Sequence, residues 1–186
     1  PDPAVIAPIA DVEVLEYTYP DQAHNAEVVL VDDVNRSVVI VTKEQRRVDG
    51  IPAELGPTAP SFVFEGPLDI GGDESVELAL VGTLDAPLLE TRTVADPPHP
   101  ISRFGLGGLP TGGDVSADGA LIALRTYETV WVWPRQAGTS VAESLASDPC
   151  QARVAPENQG EAVAFRDSML ITVSEGVNPF LFELRP

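Results

Sequence analysis

Gly113-Asp114-Val115-Ser116-Ala117-Asp118-Gly119-Ala120-Leu121-Ile122-Ala123-Leu124-Arg125-Thr126-Tyr127 reads as a strand, a tight Asp-Gly turn and a returning strand. Two more stretches follow the same plan, starting at Ala26-Glu27-Val28-Val29-Leu30-Val31 and at Gly160-Glu161-Ala162-Val163-Ala164-Phe165. Each begins with a small residue and an acid, crosses a polar turn, and returns on an apolar strand. The returning strands end at Thr42, Thr126 and Ser174. One hairpin written three times predicts a repeat architecture.

Outward from these hairpins, further strands fall into place. Val12 to Tyr19 alternates apolar and polar residues and predicts a half-exposed outer strand. Ala26 to Asp32 is almost continuously apolar, which suits burial on both faces, and Ser37 to Thr42 returns it. Lys43 to Thr58 carries Gly50, Pro52, Gly56 and Pro57 and predicts a loop. Pro60 to Glu65 and Val76 to Leu84 supply two more strands. Asp85 to Pro110 is rich in proline and glycine; it hides a short strand near Leu88 to Arg92 or forms an insertion on one face.

The second unit continues with Val130-Trp131-Val132-Trp133, one helical turn within Ala142 to Ser147, and a weak strand over Gln151 to Val154. The third continues with Met169 to Ser174 and Phe180 to Leu184. The tally is an outer strand at 12–19 and then meanders over about 26–84, 113–155 and 160–186, within one domain spanning 1–186. A repeated four-stranded antiparallel meander is a β-propeller blade, and closed propellers have about four to eight of them. Three are too few, so the chain is expected to be a partial propeller: the C-terminal part of a longer array, or a unit that pairs with another copy. The strand at 12–19 then completes a preceding blade or closes the last sheet. A β-sandwich stays open as the alternative all-β arrangement.

Composition narrows the function. Acids outnumber bases 29 to 11, for a formal charge of −18. Such a chain repels phosphate backbones, which argues against a nucleic-acid role. No apolar run reaches the roughly 18 residues of a membrane span. Cys150 is the one cysteine and has no internal partner. It reads either as a small buried residue or as a thiol awaiting a second chain.

The segment Thr111 to Tyr127 resembles the S-P-D-G-x-x-hydrophobic-A repeat of bacterial propeller proteins. Together with Tyr19 to Glu27, Gln159 to Phe165 and Val173-Ser174-Glu175-Gly176, it is similar to a group of uncharacterised, actinobacterial-type secreted β-propeller proteins. The resemblance covers about 12–186, with Asn25 where the group tends to have Asp and Ala117 where Pro is usual. It implies an extracellular or periplasmic location and, for this chain, blades supplied from upstream. It implies no activity.

In a propeller the first strand of each blade lines the central channel. Glu27, Asp114 and Glu161 hold matching places at its start and are expected to converge at one mouth. Clustered carboxylates bind a hard cation such as Ca²⁺ or pair with bases. Lys43 and Arg125, at the ends of the second strands, are the expected pairing partners. His24, three residues before Glu27, can join the rim, and Glu175 lies beside it in the third unit. Thr42, Thr126 and Ser174 are expected to bond to neighbouring blade backbones. Trp131 and Trp133 share one face of their strand and read as core.

No nucleophile elbow surrounds Ser174, and the glycines of 105–113 lack a following Lys-Ser/Thr, so neither acyl transfer nor a phosphate cradle is indicated. Three functions remain. The first is a non-enzymatic propeller that binds a ligand or a protein partner at its channel mouth or loop face. The second is a Ca²⁺-dependent hydrolase of the phytase-like or lactonase-like type using Glu27, Asp114 and Glu161. The third is an assembly subunit whose exposed edges demand a partner or self-association.

Overall fold

The structure is a computed structural model that describes residues 13–44, 47–48, 51–52, 59–71, 75–85, 106–152, 154–155 and 157–185. The strands within them are β1 (Glu16–Thr18), β2 (Ala26–Asp32), β3 (Ser37–Thr42), β4 (Arg47–Val48), β5 (Ile51–Pro52), β6 (Ser61–Pro67), β7 (Ser75–Glu77) and β8 (Ala79–Leu84). They continue as β9 (Pro110–Val115), β10 (Leu121–Thr126), β11 (Val130–Pro134), helix α1 (Val141–Leu145), β12 (Cys150–Ala152), β13 (Gly160–Arg166), β14 (Met169–Ser174) and β15 (Leu181–Leu184). The described residues are all-β apart from α1. Three antiparallel meanders dominate, none of them closed: β2-β3-β6-β8, β9-β10-β11-β12 and β13-β14-β15. Val76 to Leu84 is interrupted at Leu78, whose N–H turns to the Thr18 carbonyl at 2.8 Å.

The three sheets stack face to face. Val28, Leu30, Val39 and Val41 of the first sheet meet Ile122, Leu124, Trp131 and Trp133 of the second. Ala123 and Val130, on the opposite face of the second sheet, meet Val163 of the third, with Phe165 and Leu170 beside it. The pleat explains this division, because alternate residues of one strand face opposite neighbours. Trp131 and Trp133 lie in the core as their spacing predicts, and the Trp133 indole N–H donates to the Ser147 carbonyl at 2.9 Å. The helical turn forms as α1, started by a reciprocal cap in which Ser140 and Glu143 exchange side-chain bonds to each other's backbone N–H. Its Val141 and Leu145 close the outer end of the first core.

The turns use the chemistry their sequences offer. Gly119 takes φ +69, a conformation that favours glycine, and Asp118 accepts from the Ser116 hydroxyl and from Ala120 N–H. At the equivalent turn, Asp32 accepts from Val34 N–H, Asn35 N–H and the Asn35 amide. It also takes a bidentate pair of bonds from Arg135 at 2.9 and 3.0 Å, which clasps the first sheet to the second. Burial works against the Asp32 carboxylate, but the bonds from Arg135 and Asn35 prevail and hold it below its ordinary range.

Several expectations change. β2 is not buried on both faces: Val28 and Leu30 are inside, but Val29 and Val31 are 57% and 45% exposed. Among the described residues, no sheet covers that second face beside β2. Residues 12–19 neither stand alone nor close the last sheet: β1 pairs in parallel with β7, and the Tyr17 hydroxyl donates to the Pro67 carbonyl. The expected loop after Lys43 contains the two-residue β4–β5 hairpin. β9 begins at Pro110, inside the stretch read as a glycine-rich loop. Cys150 is exposed on the edge strand β12, not buried. The strand expected at Leu88 to Arg92 lies outside the described residues.

Candidate functional site at the open ends of the inner hairpins

Each inner hairpin carries a bulge at the same step. Pairing runs Ala26↔Thr42 then Val28↔Val41, Pro110↔Thr126 then Gly112↔Arg125, and Gly160↔Ser174 then Ala162↔Val173. One residue of the inner strand is therefore left out of each ladder: Glu27, Thr111 and Glu161. A bulge re-aims the side chain it frees. The equivalent of Glu27 and Glu161 is thus Thr111 and not Asp114, which lies three residues further along β9. The extra step arises because Thr111-Gly112-Gly113 precedes Asp114, while Glu27 and Glu161 directly follow the first paired residue.

Asp114 has a different task. Its carboxylate accepts the Val115 N–H at 2.9 Å and the Phe165 N–H at 2.7 Å, tying β9 to β13. Thr111 also ties neighbours together: its hydroxyl donates to the Gly160 carbonyl at 2.8 Å. By contrast Thr42 accepts from Phe62 N–H, Thr126 accepts from Thr129 N–H, and Ser174 donates to the Gln159 carbonyl. These hydroxyls brace their own hairpins and sheets, where a bond to the neighbouring sheet was expected.

The same register separates Lys43 from Arg125. Lys43, Tyr127 and Glu175 each follow the last hairpin pair, whereas Arg125 matches Val41 and Val173. Lys43 Nζ lies 2.8 Å from both Glu27 oxygens, bonds the Tyr127 hydroxyl, and sits 4.5 Å from that ring's centroid. On the third hairpin, the Gln159 amide donates to Glu161 at 2.8 Å and to Glu175 at 2.6 Å. Glu161 is the electrostatically uncomfortable member. Burial raises its carboxyl above the ordinary range, Glu27 and Glu175 push the same way, and Gln159 and Lys43 offset only part of this. The result is a cluster of Glu27, Lys43, Tyr127, Gln159, Glu161 and Glu175 drawn from three hairpins.

Arg125 lies between the second and third sheets with its side chain fully buried. Its guanidinium is 3.5 Å from Glu157, which also accepts from the Thr172 hydroxyl at 2.6 Å. None of its three side-chain nitrogens has a hydrogen-bond acceptor. Burial pulls this group below its usual value, against the attraction of Glu157 and Glu161. Glycine is required at position 160, because a β-carbon there would overlap the guanidinium. Arg125 is thus a packed element of the junction between the sheets.

His24 is also drawn elsewhere. Its ring nitrogens lie 2.8 Å from Glu44 and 3.0 Å from Asp21, and Tyr19, Phe62 and Phe64 surround the ring. Ionised carboxylates only accept hydrogen bonds, so both contacts are satisfied only by the doubly protonated ring. Burial disfavours that charge, but Asp21 and Glu44 prevail and raise the imidazole above its ordinary value.

Sequence reading missed Tyr127 and Gln159. For Tyr127 the signal was present: each second strand ends in Thr42, Thr126 or Ser174, and the next residue faces the cluster; Gln159, just before β13, carries no such signal. Among the described residues, no group of three His, Cys, Asp or Glu has the arrangement to hold a metal ion, and no helix is long and apolar enough to cross a membrane. No protein-family model matches the chain, and no curated protein gives a significant match to it.

Proposed function

We propose that the three sheets are successive blades of a propeller-type array, and that the chain is a non-enzymatic, extracytoplasmic protein that binds a cationic ligand at its inner hairpin ends. The blade reading is supported by three meanders with their first strands side by side and by a bulge at the same step in each. The extracytoplasmic placement rests on the resemblance to secreted repeat proteins.

The observation that carries the ligand reading is Glu161, gathered with Glu27 and Glu175 at the hairpin ends and raised first by burial and then by those two carboxylates. Lys43 is already held by both oxygens of Glu27, so a ligand amine or guanidinium supplies the charge that Glu161 and Glu175 lack. A cation binds the ionised form of Glu161, whose titration is raised by its surroundings, so affinity rises as pH rises through that titration.

Titration calorimetry with spermidine, with a short lysine-rich peptide and with CaCl₂ tests this. Heat is expected with the organic cations, stronger at neutral than at acidic pH, and Glu161→Gln is expected to weaken it about tenfold and flatten the pH dependence. Absence of heat with either organic cation sinks the reading. Binding of Ca²⁺ alone, with a chelator-sensitive melting point, moves the site to the metal-dependent hydrolase reading, in which Glu27 and Glu161 are ligands and Asp114, held by Phe165 N–H, is not.

A further inference from the structure

The stacking of the three sheets uses two unlike faces. On the second sheet, Ile122, Leu124, Trp131 and Trp133 receive the first sheet, while Ala123 and Val130 dock onto the third. Strand register transfers these roles between sheets. The positions of Ile122 and Leu124 correspond to Val38 and Ile40 in the first sheet and to Leu170 and Thr172 in the third. Those of Ala123 and Val130 correspond to Val39 and Val63, and to Ile171 and Leu181. Among the described residues, the first sheet therefore keeps a receiving face, and the third a docking face, that no other sheet occupies.

Both faces are apolar where they are open. Val29 and Val31 on the first are 57% and 45% exposed, and Leu181 on the third is 60% exposed. Ala162 and Ala164 are exposed beside Leu181's sheet partners, and Ile171 and Val173 are only half-covered. The outer part of the receiving face is closed by the chain's own Tyr17 over Gly66 and by Tyr19 and His24 over Phe64. What stays open is the strip along β2, nearest the axis of the stack.

We propose that a second copy of this chain occupies these faces, its third sheet docking on the first sheet of its partner, with the reciprocal contact closing the pair. The contact continues the two junctions already inside the chain, with the same faces in the same order. It is heterologous, and such contacts form closed rings when the rotation per step permits. Two copies of the three described sheets fall within the about four to eight blades of closed propellers. Each copy carries a charge of −18, so added salt is expected to strengthen the association by screening repulsion. The proposal rests on the stacking and not on the ligand reading, since every residue of the cationic site comes from one copy.

Sedimentation equilibrium of the full chain at micromolar concentration, at low and moderate salt, tests it. A discrete mass of two copies, more stable at moderate salt, is expected. Val29→Glu and Ala164→Glu each alter an exposed side chain, so circular dichroism and melting are expected to remain those of a folded chain. Each variant alone is expected to weaken the pair more than tenfold. Mixing the two variants restores one good junction, Ala164 of one onto Val29 of the other, as Leu30 meets the equivalent Gly113 inside the chain, and is expected to recover association. A monomer throughout, a mass above two copies, or a pair indifferent to both substitutions overturns the proposal. A pair that depends on Val29 alone also overturns it, because the contact is then face to like face. A monomer that still binds spermidine leaves the ligand reading standing.

Discussion

The two junctions inside the chain are built differently. The first, between β2-β3-β6-β8 and β9-β10-β11-β12, is an extended apolar layer that contains Trp131 and Trp133 and is capped by α1. The second, between β9-β10-β11-β12 and β13-β14-β15, has a smaller buried set of Ala123, Val130 and Val163. Polar ties supplement it: Asp114 to Phe165 N–H, Thr111 to the Gly160 carbonyl, and Arg125 beside Glu157. Apolar burial is non-directional and grows with area, whereas hydrogen bonds add little net energy but penalise misalignment. The first junction is therefore expected to supply cohesion and the second to fix register.

The largest test of that contrast is Trp133→Ala, which empties the centre of the first layer and removes the bond to Ser147. A loss of about 3–5 kcal/mol is expected in urea unfolding. A loss below that of Asp114→Ala would reverse the assignment of cohesion to this layer. Next comes Arg135→Ala, which strands the buried Asp32 carboxylate at the rim of the same junction. About 3 kcal/mol is expected, and because Asp32 is held below its ordinary range, the wild-type advantage is present at neutral pH and fades as pH falls below about 4.

Asp114→Ala probes the second junction. It is expected to cost about 1–3 kcal/mol, and hydrogen exchange should show β13 and β14 exchanging faster while β3 is unchanged. Uniform acceleration across all three sheets would contradict separate roles for the junctions. The smallest effect concerns His24, which lies outside both. Its folded value is raised above the unfolded value near 6.5, so its contribution is full below that pH and is lost as pH rises through the folded value. The melting point is expected to decline gently from slightly acid to slightly alkaline pH in the wild type, and His24→Gln should abolish the slope.

Strand existence was largely legible, because alternation and turns such as Asp118-Gly119 and Asp32-Asp33-Val34-Asn35 are local signals. β2, β3 and β14 begin and end where their apolar runs do. Misreadings occurred where partners decide. Val29 and Val31 look like core in a run of valines, yet both are exposed, since burial depends on which sheet lies opposite. Asp114 looked equivalent to Glu27 because both are acids near a strand start; the bulge at Thr111 moved it to the facing backbone of β13. His24 looked like a rim residue by its distance in sequence from Glu27, but Asp21, Glu44 and three aromatic rings claim it.

By itself the sequence determined the all-β character, the threefold repeat, the tryptophan-bearing strand and the acidic balance. These follow from side-chain period, turn residues and charge, all written within a few residues of one another. Only the tertiary structure decided which residues share a site. Pairing shifts of a single residue turn side chains to the other face or out of the ladder, and those shifts are set by contacts between distant strands. Glu161, Gln159 and Tyr127 met Glu27 and Lys43 for that reason, while Asp114 and Arg125 became parts of a junction.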